Sequence, residues 1–158
     1  DRPLPEIAWR RGVDMNRIDL DDEKAMRWAR SLLWPEQRER VDRFEKALSL
    51  TRDDPPQIVE GNALDLLPDL IGRAPVDLEL MVFHSFVVNQ FTEDERERLD
   101  GLLRSASHRR PITRIAVEML FQTMDFPTIT MTAYDGGVGE PIHLGNGHHH
   151  GAWLDWVA

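Results

Sequence analysis

The chain has 158 residues, 41% hydrophobic and 30% charged, a balance that fits one soluble globular domain, and we read residues 1–158 as a single one. Its 28 acidic and 19 basic residues leave a net charge of −9, which repels phosphate backbones and argues against a nucleic-acid binder. The absence of cysteine removes disulfides, zinc-thiolate centres and thiol nucleophiles, and no apolar run reaches the roughly 20 residues of a membrane span, so a cytoplasmic protein is expected.

The chain starts at Asp1 rather than methionine, as expected of a processed or truncated protein. Ile7-Ala8-Trp9 supports a short strand at most, and the following Arg10-Arg11 pair is read as solvated charge. Asp19 or Asp21 can cap a helix whose buried face combines Ala25, Trp28 and Leu32 with Met26, Ala29 and Leu33. Trp34-Pro35 breaks it. Pro35 suits the first position of a second helix, with Val41, Phe44, Ala47 and Leu48 as its apolar stripe and an end near Asp53.

Ile58-Val59 reads as a short strand ending in the tight loop Gly61-Asn62-Ala63, and Asp65 can cap the next helix, with Pro68 in its first turn. The near-continuous apolar run from Leu78 to Phe83 predicts a central strand covered on both faces, with His84 and Ser85 at its carboxyl end. Thr92 and Glu95 form a capping box for the helix through Leu99, Leu102 and Leu103.

Ile112 to Glu118 predicts another strand, followed by a loop through Phe126 and Pro127. Thr128 to Tyr134 alternates apolar and polar residues, and Asp135-Gly136-Gly137 supplies a hairpin turn toward a strand from Glu140 through Ile142 and Leu144. The tail from Gly145 should be extended, with one tryptophan packed inward.

In open α/β sheets, ligands gather beyond the carboxyl ends of the strands. That rule selects Asn62, His84, Ser85 and Glu118. His84 beside Ser85 does not make a hydrolase, because adjacent strand residues point to opposite faces and no G-x-S-x-G elbow is present. Alternation would put His148 and His150 on one face, with His143 as a third metal ligand. Without a spaced motif, a solvated turn is the favoured alternative and no metal site is assigned.

Gly61-Asn62-Ala63-Leu64-Asp65-Leu66-Leu67-Pro68, followed by a buried strand, helix, strand and hairpin, resembles the later part of class I S-adenosylmethionine-dependent methyltransferases. More closely, Ile7 to Asp14, Leu33 to Gln37, Val82 to Ser85 and His150 to Trp156 resemble a bacterial domain-of-unknown-function family whose C-terminal half is methyltransferase-like.

The resemblance implies a Rossmann-like mixed sheet, mostly parallel, with a C-terminal antiparallel hairpin and its N-terminal part missing. It implies S-adenosylmethionine as cofactor, held by Gly61, Asn62 and Ala63, with Ser85 on the cofactor side. Asn62 replaces the usual aspartate at the adenine amino group. His84 would receive a proton from an unknown methyl acceptor that Glu118 orients. The glycine-rich strand-loop that normally opens such a domain is absent, and because that strand is central, its loss implies a homo-oligomer or strand exchange and a fragment inactive alone. The alternative is a non-catalytic protein-binding domain on the same scaffold.

Overall fold

In the computed structural model, residues 5–119 and 125–157 are described. They form a mixed α/β structure in which the chain divides into two compact units, Asp1–Leu67 and Pro68–Ala158.

In the first unit, β1 (Gly12–Asp14) and β2 (Ile58–Glu60) form a parallel two-stranded sheet, with Val13 paired to Val59 and Asp14 to Glu60. The strand expected at Ile7–Trp9 lies instead at Gly12–Asp14, where β2 supplies a ladder partner. Between them run α1 (Glu23–Ser31) and α2 (Arg38–Asp53). The cap of α1 is Asp22, one residue beyond the expected aspartates, and its carboxylate accepts from the Lys24 amide at 2.8 Å.

Met26 and Ala29 are buried on α1, whereas Trp28 and Leu32 face solvent, so its buried stripe is narrower than its apolar content implied. Arg30 of α1 pairs with Glu45 of α2 at 2.7 Å. Pro35 precedes α2 in a turn rather than opening it, and α2 ends at Asp53 as expected. Arg10 is likewise paired, with Asp54 at 2.6 Å.

Helix α3 (Ala63–Arg73) begins two residues before the expected Asp65 cap. Asn62 caps it, its Oδ1 accepting from the Leu64 amide at 2.8 Å, and Pro68 therefore falls inside the helix.

The second unit holds a five-stranded sheet in the order β3 (Leu80–Ser85), β4 (Ile112–Glu118), β5 (Thr128–Tyr134), β6 (Pro141–Gly147), β7 (Leu154–Trp156). Among the described residues only β3 and β4 of this sheet are parallel, joined through α4 (Glu93–Ser107); the remaining ladders are antiparallel. This corrects the mostly parallel expectation. Residues 135–140 and 148–153 connect their strands by links too short for a parallel crossover, which needs a dozen or more residues.

Helix α4 has the complete Thr92–Glu95 capping box. It buries Leu99, Leu103 and Ala106, while Leu80, Ile112 and Tyr134 are buried in the sheet. Strand β3 lies at the sheet edge rather than its centre, and Met81 and Phe83 are 61% and 63% exposed, overturning the expected cover on both faces. Apolar content does not distinguish a covered strand from an uncovered one.

The β5–β6 turn follows its sequence: Gly136 and Gly137 adopt φ of 56° and 83°, and Asp135 and Val138 exchange backbone hydrogen bonds. At the end of the chain, Trp153 and Trp156 both remain exposed, so neither is the expected inward anchor. Three-residue β7 is too short to bury them by itself.

Candidate functional site

Register builds the site. His84 on β3 lies opposite Ala116 on β4, and strand alternation puts Arg114, Ala116 and Glu118 on one face. An imidazole opposite a small residue thereby reaches charged neighbours on both sides. His84 Nδ1 is 2.6 Å from Glu118 Oε1, and Arg114 Nε donates to His84 Nε2 at 2.9 Å. Because a guanidinium nitrogen only donates, Nε2 must accept and Nδ1 carries the ring proton toward Glu118.

Glu118 is also held by the loop after β3. Phe86 adopts φ of 54°, unusual for a bulky residue, and Val87 returns to right-handed geometry. The Val87 N–H donates to Glu118 Oε1 at 2.9 Å. Burial tends to raise the Glu118 pKa, but hydrogen bonds from His84 and the Val87 and Val88 amides prevail and hold it below the ordinary carboxylate value. Glu118 Oε2 is buried with no hydrogen-bond partner among the described residues.

The network continues away from the strand ends. Arg114 reaches the Tyr134 hydroxyl at 3.5 Å, Tyr134 donates to Asp100 Oδ1 at 2.7 Å, and Arg104 pairs with Asp100 at 2.5 Å. Burial and the Asp100 hydrogen bond raise the Tyr134 pKa. For Asp100, burial works upward, but hydrogen bonds from Tyr134 and Arg104 leave the carboxyl below its usual range. A guanidinium thus stands between two carboxylates, separated from one by imidazole and from the other by phenol.

His84 and Glu118 are therefore brought together, with Glu118 orienting the histidine. Ser85 is exposed and alternates to the other sheet face. Gly61, Asn62 and Ala63 lie in the sequence running from β2 into α3. The Gly61 amide donates to Asp14 O at 2.9 Å, bringing the carboxyl end of β1 beside that loop. Gly61 has φ of 146°, a backbone conformation that selects glycine; an added Cβ would meet only the end of the Leu66 side chain, which can move aside.

The expected histidine alternation fails because β6 ends at Gly147 and residues 148–151 turn, with Gly151 N–H bonded to His148 O at 2.8 Å. His143 directs Nε2 to Gly145 O at 2.8 Å. No cluster of three or more metal-binding side chains occurs among the described residues.

Asp14, Arg114, Asp100 and Tyr134 were missing from the sequence-selected site. Arg114 and Glu118 carried a usable signal: two charges four residues apart in a strand of otherwise mostly apolar residues share a face. Asp100 and Tyr134 carried none, since their meeting depends on how α4 packs on the sheet.

The family model described as "Uncharacterized protein conserved in bacteria (DUF2332)" matches residues 1–156. The chain belongs to this family. No curated protein and no solved structure matches it. Among the described residues, no helix is long and apolar enough to cross a membrane.

Proposed function

We propose that this chain is part of an S-adenosylmethionine-dependent methyltransferase: in the first unit Asp14, Gly61, Asn62 and Ala63 suit the adenosine of the cofactor, and in the second His84 and Glu118 suit proton transfer from the methyl acceptor. The observation that carries the reading is the parallel β1–β2 register, which sets an acidic strand end beside a Gly-Asn loop and a helix start. Such strand ends suit adenosine recognition: the acid can accept ribose hydroxyls, and the loop can meet the base edge.

The donor set fits that half of the cofactor. Asn62 spends one acceptor position on Leu64 N–H and retains another, together with amide donors, for adenine. When bound, the cofactor supplies an electrophilic methyl group. His84 is a fixed imidazole whose Nε2 can receive an acceptor proton after Arg114 withdraws its hydrogen bond, while Glu118 keeps the ring oriented. The acceptor remains defined only by its proton-bearing nucleophile.

Calorimetric titration of S-adenosylmethionine into the chain, together with any sequence preceding Asp1 in the native protein, tests the adenosine assignment. Saturable binding is expected, weakened by Asn62→Leu and strengthened by Asn62→Asp, which preserves the helix cap. No binding, or affinity unchanged in both variants, rejects it.

A second reading, a non-catalytic protein-binding domain, is favoured by the exposure of Met81 and Phe83 on an apolar sheet face. Under it, S-adenosylmethionine does not bind and Phe83→Lys abolishes a concentration-dependent rise in mass. Concentration-independent mass together with cofactor binding rejects it.

A further inference from the structure

Arg114 of β4 differs in its partners from Arg104 of α4 and from Arg110, which precedes β4. A guanidinium has five N–H donors. Arg104 pairs with Asp100 and also donates to Gly139 O, while Arg110 bonds the carbonyls of Ala74, Pro75 and Leu78. Arg114 instead has one short bond to a neutral imidazole and one long bond to a phenol. No carboxylate forms an ion pair with it among the described residues.

Partial burial makes a guanidinium without a direct counter-charge costly, and its planar fork favours a bidentate oxyanion. The register adds further donors beside it: Thr132 lies opposite Arg114 and Thr130 opposite Ala116, so both are on the Arg114 face. Of the neighbouring acids, Asp100 is hydrogen-bonded by Tyr134 and Arg104 and acts on Arg114 only through space, and Glu118 Oε1 is engaged by His84 and the Val87 amide, leaving its buried Oε2 without a hydrogen bond among the described residues.

We propose that Arg114 anchors an oxyanion-binding site, taking the carboxylate or phosphate of a small-molecule ligand. This deepens the acceptor side of the proposed function and rests on it for identifying that ligand as the methyl acceptor; the oxyanion site itself follows from Arg114 and its partners. An oxyanion competes with His84 Nε2 for the guanidinium. Ligand binding thereby releases the imidazole lone pair, so the proton-accepting nitrogen becomes available when the acceptor is present.

The test is nitrogen-resolved NMR of the His84 ring and Arg114 Nε during separate titrations with sodium acetate, inorganic phosphate and sodium chloride at constant ionic strength. Acetate or phosphate should give a saturable shift at both groups that chloride does not reproduce. Preference for acetate assigns a carboxylate ligand, and preference for phosphate assigns a phosphate ester.

Arg114→Gln should weaken the preferred anion at least about tenfold, the loss expected of a charge-assisted contact. Arg114→Lys, which keeps the charge without the fork, should fall between that variant and the parent. Asn62→Leu should leave anion binding unchanged, separating this result from failure of the adenosine assignment. No saturable shift in the parent, equal shifts with chloride, or parent affinity in both Arg114 variants overturns the proposal.

Discussion

Arg114 Nε lies 2.9 Å from His84 Nε2, so the histidine is engaged at the nitrogen that a proton acceptor would use. Glu118 engages the other nitrogen at 2.6 Å. Under the proposed function this is a closed arrangement, whose proton-accepting nitrogen would open when the guanidinium finds another acceptor.

Glu118→Gln should destabilise the protein by about 1–3 kcal/mol at neutral pH, because it replaces buried charge-assisted hydrogen bonds with neutral ones and puts an amide group where the carboxylate sits. The folded-state pKa of Glu118 is depressed from 4.5, so its stabilising contribution is present above that value and is lost as pH falls through the folded-state pKa. Asp100 acts in the same direction. Thermal melts across acidic pH should therefore show a shallower decline for Glu118→Gln, and a shallower one still for Glu118→Gln with Asp100→Asn.

Phe86 adopts φ of 54°, a region glycine enters without the Cβ penalty. Phe86→Gly and Phe86→Ala both delete the ring, but only glycine relieves the backbone. The glycine variant should be more stable than the alanine variant by about 1 kcal/mol in denaturant unfolding. Equal stabilities would show that the backbone relaxes at little cost.

At Gly145, an added Cβ would approach Asp155 O closely and Trp156 Cα at 3.1 Å. Gly145→Ala should push β7 from β6, costing about 1–3 kcal/mol and increasing hydrogen exchange from Leu154 to Trp156. Gly101 offers the contrast: it is helical and nothing lies within 4 Å of its added Cβ. Gly101→Ala should stabilise by about 0.5–1 kcal/mol.

Tyr134→Phe removes the hydrogen bond to Asp100 from a side chain that is 1% exposed. Stability should fall by about 0.5–1.5 kcal/mol, the net value of one such bond, with Asp100 retaining Arg104. Unchanged melting would show that the phenol contributes through packing alone.

Much of this architecture was legible because its causes are local. The Thr92–Glu95 capping box, the Gly136-Gly137 turn and the alternating β5 each specify backbone geometry within a few residues. The errors occurred where distant chain decides the outcome. Whether β3 is covered depends on what packs against Met81 and Phe83, and the exposure of Trp28 depends on which face α1 buries. His84 and Glu118 were selected as separate strand-end residues; their contact required the β3–β4 register. Arg114 was missed because its significance lies in that same register and in the neutral groups around it.

The tautomer of His84 tests the site account most directly. Long-range hydrogen–nitrogen NMR at neutral pH should place the ring proton on Nδ1 and show Nε2 as an unprotonated acceptor in the ligand-free protein. Arg114→Gln should shift the Nε2 resonance while Nδ1 stays protonated. A proton on Nε2, or on both ring nitrogens, would contradict the Arg114–His84–Glu118 arrangement.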